Sequence, residues 1–358
     1  MPRDAEFRPD WVSPPGDTIR SILKEKDLSE VDLSKLIECS SDDVHHLLNG
    51  RTAINIGLAR KLSSALGASV EFWVSRDAQY RQDSAQLRRA EEEWLAQVPL
   101  KDMIAFGWLR PVPHASEELN ACLDFFGVSG LAEWRSKYRD LDRITAFRTS
   151  SAFASSLTSV AAWLRQGERE AEAIECMPWD PENLRASIPY IRALTRQKDP
   201  RTFIPLLSEC CALSGVAVVI VRAPSGCRAS GAVRFLSQRK ALIQLSFRYL
   251  SDDHFWFTFF HEVGHLLLHS QESIVLEEIN ASDEKEENEA NDFAAKALIP
   301  PEYQSALMRL PAKARDIIKF ARGVGIAPGI VVGQLQHRGL LGYDHLNSLK
   351  RRFTWGSR

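Results

Sequence analysis

The stretch Phe255–His269, FWFTFFHEVGHLLLH, constrains this chain more than any other. It is almost wholly apolar, yet it carries an HExxH motif, His261-Glu262-Val263-Gly264-His265, at its centre. Wound at 3.6 residues per turn, it places Trp256, Phe260, Val263, Gly264 and Leu267 in one apolar stripe. His261 and His265, four apart, then stand one above the other beside that stripe, within reach of a single ion. Two imidazoles from one turn make half of a zinc site. Glu262 points elsewhere on the same helix, beside the ion rather than on it, where a carboxylate can take a proton from a water. A chance HExxH on a surface helix would have polar neighbours, and this one does not. His269 continues the spacing but falls where the helix should end, so it is read as a bystander.

A third ligand must come from elsewhere, and Glu286–Pro300, EENEANDFAAKALIP, is the best supply. It reads as a second helix stopped by Pro300 and Pro301. Ala290, Ala294, Ala297 and Leu298 form its inward face, small enough for a close helix–helix approach, with Phe293 at one edge. Glu287 and Asn291 share the other edge, so Glu287 is the favoured ligand and Asn291 a group that steadies a ligand from behind. Glu289 projects nearly opposite Glu287, and Glu286 lies on the Phe293 side; both remain alternatives for the third position. Asp283 and Glu284 read as a solvated acidic run.

HEVGH, followed by Glu287-x-x-Ala290-Asn291-x-Phe293-Ala294 and a Leu-Ile-Pro ending, resembles the ImmA/IrrE family of zinc metallopeptidases. The resemblance implies a gluzincin-like site: His261, His265 and Glu287 hold one zinc ion per chain, and Glu262 is the general base. It also implies a protein substrate, a transcriptional repressor or an antitoxin-like regulator, cleaved to switch a stress, phage or mobile-element programme. Two histidines and a carboxylate suit manganese or iron as well as zinc.

The chain has 358 residues, room for two or three domains. With 44% hydrophobic and 26% charged residues it is composed as a folded protein, and its net charge of −2 gives no general pull toward nucleic acid or anionic membrane. No signal segment and no apolar run near a membrane span is visible, so a cytoplasmic setting is expected. The scattered cysteines, Cys39, Cys122, Cys176, Cys210, Cys211 and Cys227, then read as reduced core residues.

Residues 1–16 are polar and Pro-rich, a loose arm. From residue 17 to residue 80 five short helical signals follow: Asp17–Asp27, Glu30–Glu38, Ser41–Asn49, Ile54–Leu66 and Val70–Tyr80. Leu47-Leu48-Asn49-Gly50-Arg51, Ala59-Arg60-Lys61-Leu62 and Phe72-Trp73 make this segment similar to the lambda-repressor-like helix-turn-helix of HigA-type antitoxins. That resemblance implies a DNA-binding module with Ser41–Leu48 in the major groove. The chemistry pulls the other way. Seven Lys/Arg face nine Asp/Glu between Asp17 and Trp73, and the recognition helix opens with Asp42 and Asp43. Arg51, Arg60 and Lys61 are the candidate phosphate contacts. A dimerisation or partner-recognition module, forming a homodimer, is the competing reading of this domain.

Residues 81–198 read as a helical linker and scaffold, with Glu91–Gln97, Ala121–Phe126, Leu131–Tyr138 and Ser159–Ala171 as helical pieces. From 199 to 358 the order is helix Phe203–Ala212, strand Gly215–Val221, strands Ala232–Leu236 and Ala241–Ser246, the HExxH helix, and helices Ala312–Arg322 and Pro328–His337. That is the order of a minimal zincin-like domain with C-terminal helices. His337 is too weakly placed to assign, and the basic tail Lys350-Arg351-Arg352 reads as solvated. The fold class is therefore mainly α with a small β-sheet (α+β): an N-terminal helix-turn-helix plus a minimal zincin-like metallopeptidase domain. The expected activity is a zinc-dependent endopeptidase. The alternative is a DNA-binding transcriptional regulator or HigA-like antitoxin, with operator DNA as partner, whose zincin domain is a sensor or structural module.

Overall fold

The structure is a computed structural model, and it describes residues 12–139, 156–269, 275–276 and 284–355. Most of the expected arm, residues 1–11, and Asp283 lie outside the described residues. The chain divides into two compact units, Met1–Ala96 with Ala115–Ser136, and Gln97–His114 with Lys137–Arg358.

In the first unit the helices are α1 (Pro15–Glu25), α2 (Glu30–Leu36), α3 (Ser41–Leu48), α4 (Ile56–Leu66) and α5 (Val70–Leu95), followed by α7 (Ala115–Phe126) and most of α8 (Leu131–Lys137). α2 and α3 each start with a capping box: Ser29 pairs with Asp32, and Ser40 with Asp43. Asp43 is thus tied to the backbone of its own helix start. Leu33, Leu48, Leu62 and Trp73 form a dry core, and Gly16 comes so close to the Leu48 carbonyl that no side chain fits there. α5 runs unbroken for 26 residues, where the sequence suggested a stop at Tyr80 and a separate piece at Glu91–Gln97. No glycine or proline interrupts it, and Gln, Arg, Ala and Glu are good helix formers. Its far end buries Trp94 edge-on to Phe126 and Trp134, at 5.9 and 5.5 Å between ring centroids.

In the second unit α6 (Leu100–Ala105) comes first, then α9 (Leu157–Glu172), α10 (Pro181–Leu194) and α11 (Pro200–Ala212), each of the last two opened by an aspartate cap and a proline. The sheet follows: β1 (Val216–Ile220), β2 (Gly231–Ser237), β3 (Lys240–Leu245) and a two-residue β4 (Val275–Leu276), in the order β1-β3-β2-β4. β1 runs parallel to β3, while β2 is antiparallel to both β3 and β4. The three longer strands are buried on both faces. α12 (Asp252–Leu268) covers one face through Phe255, Trp256, Phe259, Phe260 and Val263, which join Val218, Val233 and Ile243 in the core. α9 covers the other face, where polar groups are paired: Gln244 donates to the Trp163 carbonyl at 2.6 Å, and Arg234 meets Glu168 at 2.8 Å.

α13 (Glu284–Leu298) packs along α12, and α14 (Pro301–Met308), α15 (Ala314–Val324) and α16 (Pro328–His337) complete the unit. The C-terminal segment corrects the reading of a solvated basic tail. Lys350, half-buried, bonds Asp253 at 2.6 Å, and the Arg351 backbone donates to Asp252 at 3.0 Å. The Arg351 guanidinium caps the carbonyls of Thr195 and Gln197, and Arg352 bridges to Ser251. These bases have buried acids and carbonyls to meet at the start of α12, which a linear sequence cannot show.

Candidate metal centre

α12 is buried nearly all round, so its polar residues are inside the unit: His261 is 1% exposed, His265 2% and Glu262 0%. A buried polar side chain needs a partner, and each ring has one. His261 Nδ1 lies 3.0 Å from Asn291 Oδ1. An amide oxygen only accepts, so Nδ1 carries the proton and Nε2 presents a lone pair. On the other histidine, His265 Nδ1 lies 2.9 Å from His269 Nδ1, and His269 Nε2 lies 3.3 Å from Glu289. A carboxylate likewise only accepts. His269 therefore donates through Nε2 and accepts through Nδ1, which leaves His265 protonated at Nδ1 and bare at Nε2.

The two bare Nε2 atoms face each other at 2.9 Å. Glu287 brings its carboxylate to 3.4 Å from His261 Nε2 and 3.6 Å from His265 Nε2. Opposed lone pairs repel unless a cation lies between them. Ligands about 2.1 Å from a tetrahedral zinc stand about 3.4 Å from one another. The donor set therefore fits a zinc ion, and His261, His265 and Glu287 form a group that could hold one. Burial, and then the neighbouring His261, pushes His265 well below the usual imidazole range, so the imidazole stays neutral and open to a metal.

Glu262 shares the helix but faces the sheet. Gly231, the first residue of β2, passes directly over it, and a Cβ there would run into Glu262 Oε1 and lie 2.7 Å from the Thr258 methyl. The missing side chain is what lets the strand and the carboxylate come together beside the ligands. Gly264 does the same for the other neighbour. A Cβ at Gly264 would sit 3.1 Å from Ala290 Cα and 3.2 Å from Phe293, so this glycine and the Ala290 face set how near α13 brings Glu287 and Asn291.

The structure thus brings together His261, His265, Glu287, Asn291 and Glu262. Glu286, half-buried, is outside the cluster, and Glu289 reaches His269 instead of the Nε2 pair. His269 is not among the ligands, as expected, but it is hydrogen-bonded to one of them. It leaves the helix in an extended conformation, φ −114°, and from there its ring reaches Glu289. Its continued i, i+4 spacing was the signal. His337 lies beyond Phe257, at 6.2 Å between centroids, and lines a small cavity of about 100 Å³ rather than the ligand cluster. Arg51, Arg60 and Lys61 belong to the first unit: Arg51 and Arg60 are exposed, and Lys61 pairs with Glu38 at 3.4 Å.

No curated protein matches the chain. Residues 214–321, which run from just before β1 into α15 and include every residue of the cluster, match the family model of a peptidase, Peptidase M78, the IrrE N-terminal-like domain.

Proposed function

We propose that the chain is a zinc-dependent endopeptidase that cleaves a regulatory protein, a repressor or antitoxin-like factor. The observation that carries this is the Nε2 pair of His261 and His265 turned on one point with the Glu287 carboxylate, next to a buried Glu262 that is not needed as a ligand. A zinc ion held there supplies Lewis acidity toward a water and a peptide carbonyl. The residues of the chain do the rest. Asn291, His269 and Glu289 fix the ring tautomers, so both histidines present lone pairs before any ligand arrives. Glu262 takes the proton of the attacking water and returns it to the leaving nitrogen. Burial under Gly231 keeps bulk water from competing for that carboxylate.

The test is cleavage of casein as a generic substrate, or of any repressor or antitoxin-like protein found to bind this chain, by wild type and by Glu262→Gln. Loss of roughly 10²–10⁴ in rate with metal content unchanged is expected for removal of a general base. Equal activity in the two proteins would refute the assignment. Binding of upstream DNA at stated salt, with no cleavage, would favour a transcriptional regulator instead.

A further inference from the structure

Among the described residues, the strand order leaves the outer side of β1 without a strand neighbour. The register fixes which of its backbone groups face outward. Ala241 N donates to Gly215 O, and Val221 N donates to Leu245 O, with Val216 opposite Ala241 and Ile220 opposite Leu245. In such a parallel ladder Ala217 and Val219 turn their N–H and C=O toward β3, while Val218 and Ile220 turn theirs away. Among the described residues no hydrogen bond reaches those outward groups.

They border a cavity of about 420 Å³. Val218, Val219 and Ile220 all line it, although successive strand side chains point to opposite faces. The cavity therefore runs along the sheet edge, not over one face. Ile204 of α11, Phe353 and Trp355 form apolar walls, and Glu170, on the last turn of α9, is the one charged lining residue among the described residues. Val218 is only 4% exposed, so its unpaired groups meet whatever fills this slot.

We propose that the slot docks an extended peptide segment of a partner protein, added as a strand beside β1. Pairing across Val218–Ile220 spans about 7 Å, which is three partner residues with two spaced sets of backbone bonds. The walls suit apolar side chains on both sides of that strand, and Glu170 favours a lysine or arginine on it. The slot is not the cleft of the metal centre. β3 separates β1 from β2, where Gly231 covers Glu262, a distance of about 10 Å. Docking in this slot is independent of the proposed chemistry and needs no metal.

The experiment is fluorescence anisotropy of a labelled heptapeptide, Lys-Val-Thr-Val-Thr-Val-Lys, titrated with the full chain after metal removal. A twin peptide carries N-methyl groups on its valines. Saturable binding is expected, weakened by about tenfold or more in the methylated twin. Ile220→Pro removes one outward N–H without touching a β1–β3 bond and should weaken binding by a similar factor. Glu170→Lys should reverse the preference for lysine-flanked over glutamate-flanked probes. Equal binding of the methylated peptide, or no saturable binding at millimolar concentration, would overturn the proposal. So would unchanged affinity in folded Ile220→Pro. Should that variant fail to fold, the absence of a reversal in Glu170→Lys decides against it.

Discussion

His269 has both ring nitrogens engaged, one on His265 and one on Glu289, and that chain of bonds decides which nitrogen of His265 is bare. Removing it frees the His265 ring to rotate and to change tautomer. His269→Ala and Glu289→Gln should each weaken zinc binding by about 10- to 100-fold while the fold is kept, read by competition with a chromophoric chelator. Unchanged affinity in both would reduce His269 to a space-filling residue. Gly231 acts by absence. Gly231→Ala must displace either β2 or Glu262, so loss of cleavage with zinc retained is expected, and full activity would show that the base lies elsewhere. Asp252 is a different kind of residue. Burial, partly opposed by the Arg351 backbone N–H, raises it from 3.8 to about 6. A folded-state value above the unfolded one means that the native protein binds the extra proton between about pH 4 and 6. Stability therefore falls as pH rises through that window, and the whole penalty, about 3 kcal/mol as an upper bound, stands above it. Asp252→Asn should flatten this slope in chemical denaturation and gain about 1–2 kcal/mol at pH 7.

At the scale of elements, α12 and α13 cross where Gly264 meets Ala290, and the ligand cluster depends on that approach. Gly264→Ala asks α13 to move by a few tenths of an ångström. It should cost about 1–3 kcal/mol and loosen the metal, because Glu287 and Asn291 move with their helix. The C-terminal segment holds the opposite end of α12. Lys350 and Asp253 are 9% and 7% exposed at the side chain and 2.6 Å apart. Lys350→Met strands a buried carboxylate and should destabilise by about 3–5 kcal/mol, with most of that recovered when Asp253→Asn is added. No recovery in the double variant would mean that the lysine acts mainly through Gln336, to which it also donates. This segment also marks where sequence reading stops. Apolar periodicity and caps are local, so α12, α13 and the three longer strands could be placed to within a few residues, while the two-residue β4 could not. Lys350 pairs with Asp253 across nearly a hundred positions, and nothing near either residue announces the other. His269 falls at the end of its helix, as the sequence suggested, but the ring's bonds to His265 and Glu289 depend on where the extended backbone then carries it.

Over the whole molecule, the second unit carries the peptidase match and the ligand cluster, and the first carries five helices around Trp73. The HExxH motif was legible because its chemistry is written in one turn, and Glu287 because two edge positions of one helix offered a carboxylate and an amide together. Gly231 and the open edge of β1 were not legible, since both depend on strand order rather than on any one strand. The measurement that tests the central claim most directly is metal content of the purified full chain beside His261→Ala, His265→Ala and Glu287→Ala. About one zinc per chain in the wild type, lost in all three variants with helical content intact, is the predicted result. A wild type that takes up no metal, or variants that keep it, would contradict the account.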